Sequence, residues 1–365
     1  MSTRRGGWIF VFCFSLVSGL AQQNGPAVQS EPQASVPPAS ANHRMTLDVV
    51  VTDKSGRPLP GLQQQDFTLL DNKQPQKIVS FHAVEGGAAT ADPTVEVILL
   101  VDEVNTSFSK VAFERIEIEK FLRRNGGELA RPASMAFLSD SGVTVGNTSS
   151  RDGNALIEDL NQKKSGLRSI GRSQGFYGAG DRLQLSLHTL EQLADYEAPR
   201  PGRKLVVWIS PGWPLLSRPG LELTSKQQQG IFNDIVTLSD RLRQARITLY
   251  AVDPLGTADS AGFLTFGYKQ FLKPVRKAGQ AQPGHLALQV LAAQSGGRVA
   301  NLNNDVAGEI EACVADANTF YVLSFDALPG DGPNEYHALE IKIDKPGLAA
   351  RTRSGYYAQP EHYQQ

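Results

Sequence analysis

An apolar run broken only by one glutamate, Val95-Glu96-Val97-Ile98-Leu99-Leu100-Val101, stops at Asp102. Its consecutive β-branched and leucine side chains predict a strand buried on both faces. The polar loop Glu103-Val104-Asn105-Thr106-Ser107 follows, and then Val111, Ile118, Phe121 and Leu122 share one helical face. Strand, loop and helix in that order place Asp102 at the carboxyl edge of an open α/β sheet, where such sheets bind ligands.

The same alternation continues. Met135 to Ser139 reads as a strand that Asp140-Ser141-Gly142 turns back into an antiparallel strand, Val143 to Val145. Leu183, Leu187, Leu190 and Ala194 form a helical face ahead of the buried strand Leu205 to Ile209. Ile231, Ile235, Leu238 and Leu242 repeat at helical spacing before Ile247 to Val252. A helix from about His285 to Gln294 stops at Ser295-Gly296-Gly297. The fold class is therefore α/β, a doubly wound and mostly parallel sheet covered by helices on both sides.

The two ends read differently. Leu47, Val49 and Val51 alternate, Asp66 to Leu70 resumes the strand pattern, and a third strand runs from Lys77 to His82. Near the other end come Phe320 to Phe325, then Leu339, Ile341 and Ile343 on one face, and a closing segment from Arg351 to Tyr357. Each set is too small to be stable alone, so both ends are expected to build one small β-sandwich.

Composition adds the compartment. Arg4 and Arg5 precede an apolar core from Trp8 to Leu20, with small residues at Gly19-Leu20-Ala21. That is the pattern of a cleaved export signal, too short to favour a membrane span. The organisation expected is a signal peptide at 1–21, a Gln/Pro/Ala/Ser-rich disordered linker at 22–43, a β-sandwich from 44–90 with 319–358, and the α/β domain at 91–318. The chain has 365 residues, 41% hydrophobic and 20% charged, and loss of Arg4 and Arg5 takes its formal charge from −1 to −3. No affinity for nucleic acid follows from that balance. Cys313 alone remains after cleavage, so no internal disulfide forms, and its helical face with Val306 and Ile310 makes it a core thiol. No nucleophile elbow, His-Glu-x-x-His or phosphate loop occurs, and the six histidines show no ligand spacing.

The region from Met45 to Tyr357 resembles the secreted bacterial proteins, abundant in acidobacteria, that carry a von Willebrand factor type A-related domain. The residues carrying the likeness begin with Val50-Val51-Thr52-Asp53, Gly56-Arg57-Pro58, Gly61-Leu62 and Asp66-Phe67. Asp102 with Asn105-Thr106, Arg203 to Val207, Leu291-Ala292 and Ser295-Gly296-Gly297 follow. Tyr321-Val322-Leu323 and Arg353-Ser354-Gly355-Tyr356-Tyr357 complete the series.

The resemblance implies a metal-ion-dependent adhesion site, Asp-x-Ser-x-Ser on the first loop with a later Thr and Asp. Here Asp102 matches the first ligand, Thr106 replaces the second hydroxyl and Asn105 stands beside it, but Val104 offers no oxygen and Ser210-Pro211-Gly212 lacks the second Asp. The expected site is degenerate, with no cofactor beyond weak Mg²⁺ or Mn²⁺ binding. The alternative role for Asp102 and Asn105 is to hydrogen-bond loop amides or cap the next helix.

In the type A topology two acid-free basic loops share that edge. One carries Lys163, Lys164, Arg168 and Arg172; the other carries Lys269, Lys273, Arg276 and Lys277 among Phe263, Phe266, Tyr268 and Phe271. Lys163, Arg168, Arg172 and the second cation set are expected to meet an acidic envelope or extracellular protein, with Phe266 or Tyr268 as anchor if exposed. The reading is an exported, periplasmic or extracellular, non-enzymatic binding module. Its alternative is an exported hydrolase with a site between the α/β domain and the sandwich.

Overall fold

The computed structural model describes residues 44–86, 95–146, 149–163, 175–214, 216, 222–254, 267–301 and 303–361. The expected signal peptide and linker lie outside these residues.

Strand β5 (Val95–Asp102) is buried along nearly its whole length and forms the centre of a seven-stranded sheet. On one side it pairs in parallel with β6 (Glu128–Ser139), on the other with β9 (Arg203–Ile209). Beyond β9 lie β10 (Ile247–Val252) and the short β11 (Val299–Ala300), both parallel. At the other edge β7 (Gly142–Val145) turns back antiparallel on β6, as its Ser-Gly turn predicts. β8 (Ser150–Asp152) also pairs antiparallel with β6 and has no counterpart in the hydrophobic pattern, because Ser-Arg-Asp buries nothing apolar.

Successive residues of the central strands feed opposite cores, as a sheet covered on both faces requires. Ile98, Leu100, Ala136, Leu138, Val206 and Trp208 face α3 (Gly175–Glu197), α4 (Ser225–Gln244) and α5 (Leu288–Gln294). Val97, Leu99, Val101, Phe137 and Val207 face α1 (Phe108–Leu122), α2 (Gly153–Gln162) and α6 (Val306–Ala315). Helix α5 begins three residues later than its periodicity suggests, because Pro283–Leu286 forms a separate 3-10 turn. Cys313 on α6 is fully buried, and burial drives its thiol far above the ordinary range. Lys204 is buried at the start of β9. Its Nζ donates to the carbonyls of Glu197 at 3.0 Å and Ala245 at 3.2 Å, and to that of Arg200, tying down two helix C-termini.

Strands from the two ends of the chain pair with each other. β1 (Arg44–Thr52) runs antiparallel to β12 (Thr319–Asp326), in a sheet ordered β14-β1-β12-β4 with β4 (Ser80–Glu85) and β14 (Ala349–Arg351). A second sheet, β15-β13-β2-β3, joins β2 (Phe67–Asp71) and β3 (Gln74–Gln76) to β13 (Glu335–Ile343) and β15 (Gly355–Ala358). Leu47 and Val49 from one sheet share an apolar cluster with Leu69 and Tyr356 from the other. Val50, next to Val49 on β1, points instead into the α/β core with Val84 and Phe320. The strand expected over Lys77 to His82 lies three residues further on. Asn72 and Lys73 adopt positive φ of 48° and 68°, closing a β2–β3 hairpin that uses up the intervening residues.

Candidate functional site

Asp102 is fully buried where β5 ends, and its carboxylate is saturated. Oδ1 accepts the backbone N–H groups of Val104 at 3.0 Å and Asn105 at 2.8 Å. Oδ2 accepts Asn105 Nδ2 at 2.9 Å and the indole Nε1 of Trp208 at 3.0 Å. A carboxylate offers about four lone-pair sites, and here donors from the protein take all four. Asn105 Nδ2 also donates to Ser186 Oγ on α3 at 2.9 Å, so the loop is laced to the neighbouring helix. Val104 is 2% exposed and belongs to the hydrophobic core, and Thr106 is fully buried.

Across the sheet edge, Ser210 stands where the second acidic ligand of a type A site is expected. Its Oγ accepts the N–H of Gly212 at 3.1 Å. Gly212 has φ +106°, and a Cβ there would fall 2.3 Å from the side chain of Gln289, whose Nε2 donates to Pro211 O at 3.0 Å. The turn therefore needs glycine and closes against α5. The three expected metal-loop residues are brought together, but Asp102 is engaged on both oxygens and Ser210, not an acid, stands at the end of the neighbouring strand. Among the described residues no three His, Cys, Asp or Glu side chains are grouped to hold a metal ion. Asn105 Oδ1 and Thr106 Oγ1 are buried without a hydrogen-bond partner among the described residues, so the loop keeps two unspent oxygens beside an Asp102 that is already engaged.

Two partners of Asp102 escaped the sequence reading. Trp208 interrupts an otherwise aliphatic strand, and a buried indole N–H needs an acceptor; that was the available signal. Glu114, about two turns into α1, carried a signal too: it stands three residues after Val111 and four before Ile118, on the helix's apolar face. It is fully buried and both its oxygens lack hydrogen-bond partners. Burial first, and then the charge of Asp102, push its carboxyl well above the usual range.

The solved structures similar to this chain include an aerotolerance-related membrane protein from Bacteroides fragilis, 12% identical, with TM-score 0.35 over 61% of this chain and 98% of that one. The SpRpn10 VWA domain is 10% identical, with TM-score 0.26 over 59% of this chain and 94% of that one. The pilus adhesin SpaC from Lactobacillus rhamnosus GG is 8% identical, with TM-score 0.36 over 82% of this chain and 49% of that one. No protein-family model matches the chain, and no curated protein matches it.

The basic loops are placed unequally. Arg168, Arg172 and Phe266 lie outside the described residues. Lys163, at the end of α2, donates Nζ to Thr144 Oγ1 at 3.2 Å and sits 5.7 Å from the Phe137 ring centre. In the second loop Lys269, Lys273, Arg276 and Lys277 are all exposed. Tyr268 corrects the expected anchor role. It is 7% exposed and packs with Phe271, Ala287 and Val290. An insertion must bury some apolar surface of its own to hold a shape, and Tyr268 and Phe271 serve that purpose. The insertion is fixed further by Tyr357 Oη, which donates to Val275 O at 2.8 Å, and by Gln228 Nε2, which donates to Gly279 O at 3.2 Å.

The seam between the α/β part and the end strands holds charge. Asp316 Oδ2 accepts from Tyr250 Oη at 2.9 Å and from Arg351 Nη2 at 2.5 Å, and Arg246 Nη2 reaches Asp48 Oδ1 at 2.5 Å. Within the end strands, buried Asp71 bonds His337 Nδ1 at 2.9 Å and Tyr356 Oη at 2.7 Å. Among the described residues no helix is long and apolar enough to cross a membrane.

Proposed function

We propose that this chain is an exported, non-enzymatic protein-binding module of the adhesion type, with a degenerate metal site and a basic docking surface for an acidic partner. The observation that carries this reading is the insertion after β10. Its aromatics Tyr268 and Phe271 are buried while Lys269, Lys273, Arg276 and Lys277 all reach solvent. Four cations held on a packed scaffold, in a chain of slightly negative overall charge, form a local positive field suited to steering an acidic protein. In this reading the loop at Asp102 supports the fold and not the ligand, since hydrogen bonds already occupy both carboxylate oxygens of Asp102. Lys163, Arg168 and Arg172 extend the same surface in this proposal. The module acts outside the cytoplasm on an envelope or extracellular protein.

The test is capture from the envelope fraction of the source cells, with the wild-type protein and with a variant carrying Gln at all four insertion cations. A partner retained by the wild type, insensitive to chelator, and lost with the variant or at high salt is the expected result. Retention that needs divalent metal, or that ignores all four substitutions, rejects the reading.

A further inference from the structure

At the opposite, amino-terminal edge of the sheet, β6 begins at Glu128, yet its pairing with β5 begins only at Ala133, opposite Val97. Pro132 has no N–H for a ladder, and the pairing with β8 shifts register between Glu128 and Ala133. The overhanging residues leave a gap that the C-terminal ends of α1 and α6 flank without filling. The result is a cavity of about 200 Å³ with an apolar wall of Val97, Phe121, Leu129 and Val314, and with Arg131 and Asn318 among its polar lining.

Two of its polar atoms are unspent among the described residues. Arg131 Nε and Asn318 Oδ1 are both shut off from solvent without a hydrogen-bond partner. Burial and the nearby charge of Arg151 pull the Arg131 guanidinium down, and no carboxylate acts to hold it up. Sequestering a guanidinium nitrogen without a partner is costly, and an anion with two acceptor oxygens relieves that cost. Arg124, also on the lining, is already committed to Glu311 and lies 3.7 Å from Asp305. Glu128 and Glu311 stand exposed on the lining, so a second negative charge on a ligand would be repelled.

We propose that this cavity is a binding site for a small organic monocarboxylate, its carboxylate on Arg131 and its compact apolar body against Val97, Phe121 and Leu129. The volume sets the size. Pockets for drug-sized ligands span about 300–1,000 Å³, so the occupant is smaller, on the scale of benzoate or a short branched-chain acid. Phosphate or sulfate matches neither the apolar wall nor the flanking carboxylates. The site lies at the far edge of the sheet from Asp102 and does not depend on the partner proposed above.

The experiment is calorimetric titration of the full-length protein with benzoate, benzamide and inorganic phosphate. Saturable benzoate binding at least tenfold tighter than either control is expected, weakened tenfold or more in Arg131→Gln. Val314→Phe, which fills the apolar wall, should abolish it. Without ligand, Arg131→Gln should unfold at the same temperature as wild type or higher, because the buried Nε has no hydrogen-bond partner among the described residues to lose. Equal binding of benzamide, preference for phosphate, no saturable benzoate binding, or benzoate affinity unchanged in Arg131→Gln each overturns the proposal.

Discussion

The indole N–H of Trp208 donates to Oδ2 of Asp102 across 3.0 Å, joining the carboxyl ends of two neighbouring strands that are 106 residues apart in the chain. Val104 and Asn105 hold the other oxygen, so the loop is organised around a buried carboxyl group by neutral donors. Trp213 packs edge-on against Trp208, with ring centres 5.0 Å apart, and keeps the indole in place. These donors fill the lone pairs of Asp102, while Asn105 Oδ1 and Thr106 Oγ1 beside it stay unpartnered among the described residues.

Trp208→Phe should therefore destabilise the protein by about 1–3 kcal/mol, the cost of stranding one buried acceptor. Urea denaturation checks the value. In a double-mutant cycle with Asp102→Asn, the coupling between the two sites should account for most of the loss. A Trp208→Phe protein as stable as wild type would mean the bond does not hold the loop.

Metal should make little difference. Calorimetry on metal-stripped protein is expected to show Mg²⁺ and Mn²⁺ binding weakly or not at all, and chelator should leave the melting temperature unchanged. A low-micromolar dissociation constant, about −8 kcal/mol, that disappears in Asp102→Ala would show that a cation displaces the indole and amide donors.

Glu114 predicts a pH dependence of definite sign. Its folded-state carboxyl titrates well above its ordinary 4.5, chiefly because it is buried. Below that ordinary value both folded and unfolded chains carry the proton, and the group does not affect stability. As pH rises above it, the unfolded chain ionises while the folded one stays protonated, so stability falls until the folded group also ionises. Glu114→Gln should remove this loss. Melting measured from pH 4 to pH 8 should show a gain for the variant that grows with pH, roughly 2–4 °C for each kcal/mol recovered in a domain of this size. A constant offset across that range would mean that Glu114 does not titrate in this way.

Deleting residues 45–85 removes β1 to β4 and strips β12 and β13 of their partners. Val50 and Val84 leave the α/β core at the same time. Aggregation or loss of cooperative unfolding is expected in size-exclusion and calorimetric measurements. A soluble product with one unchanged thermal transition would show that the end strands and the α/β part fold independently.

With a partner in hand, neutralising Lys269, Lys273, Arg276 and Lys277 together should slow association and flatten its salt dependence, with little change in dissociation. Surface plasmon resonance between 50 and 500 mM salt separates the two rates. Indifference to both the substitutions and the salt would move the interface elsewhere on the molecule.

Local pattern determined much of this protein. Hydrophobic period alone marked β5, β9, β10 and the helices between them, because a strand covered on both faces must be apolar throughout and a covering helix apolar on one stripe. The place of Asp102 at the end of β5 followed from the same pattern. So did the pairing of the chain's two ends, since neither strand set could cover its own apolar face. Tertiary structure alone decided what those positions do. Nothing local links Asp102 to Trp208 or to Ser186, or leaves Arg131 beside a gap, because each depends on register between strands and helices far apart in sequence. Tyr268 shows the same limit: an aromatic among lysines reads as an anchor for a partner until packing turns it toward Phe271 and Val290. Burial is a property of the assembled surface, and a side chain's neighbours in the chain do not fix it.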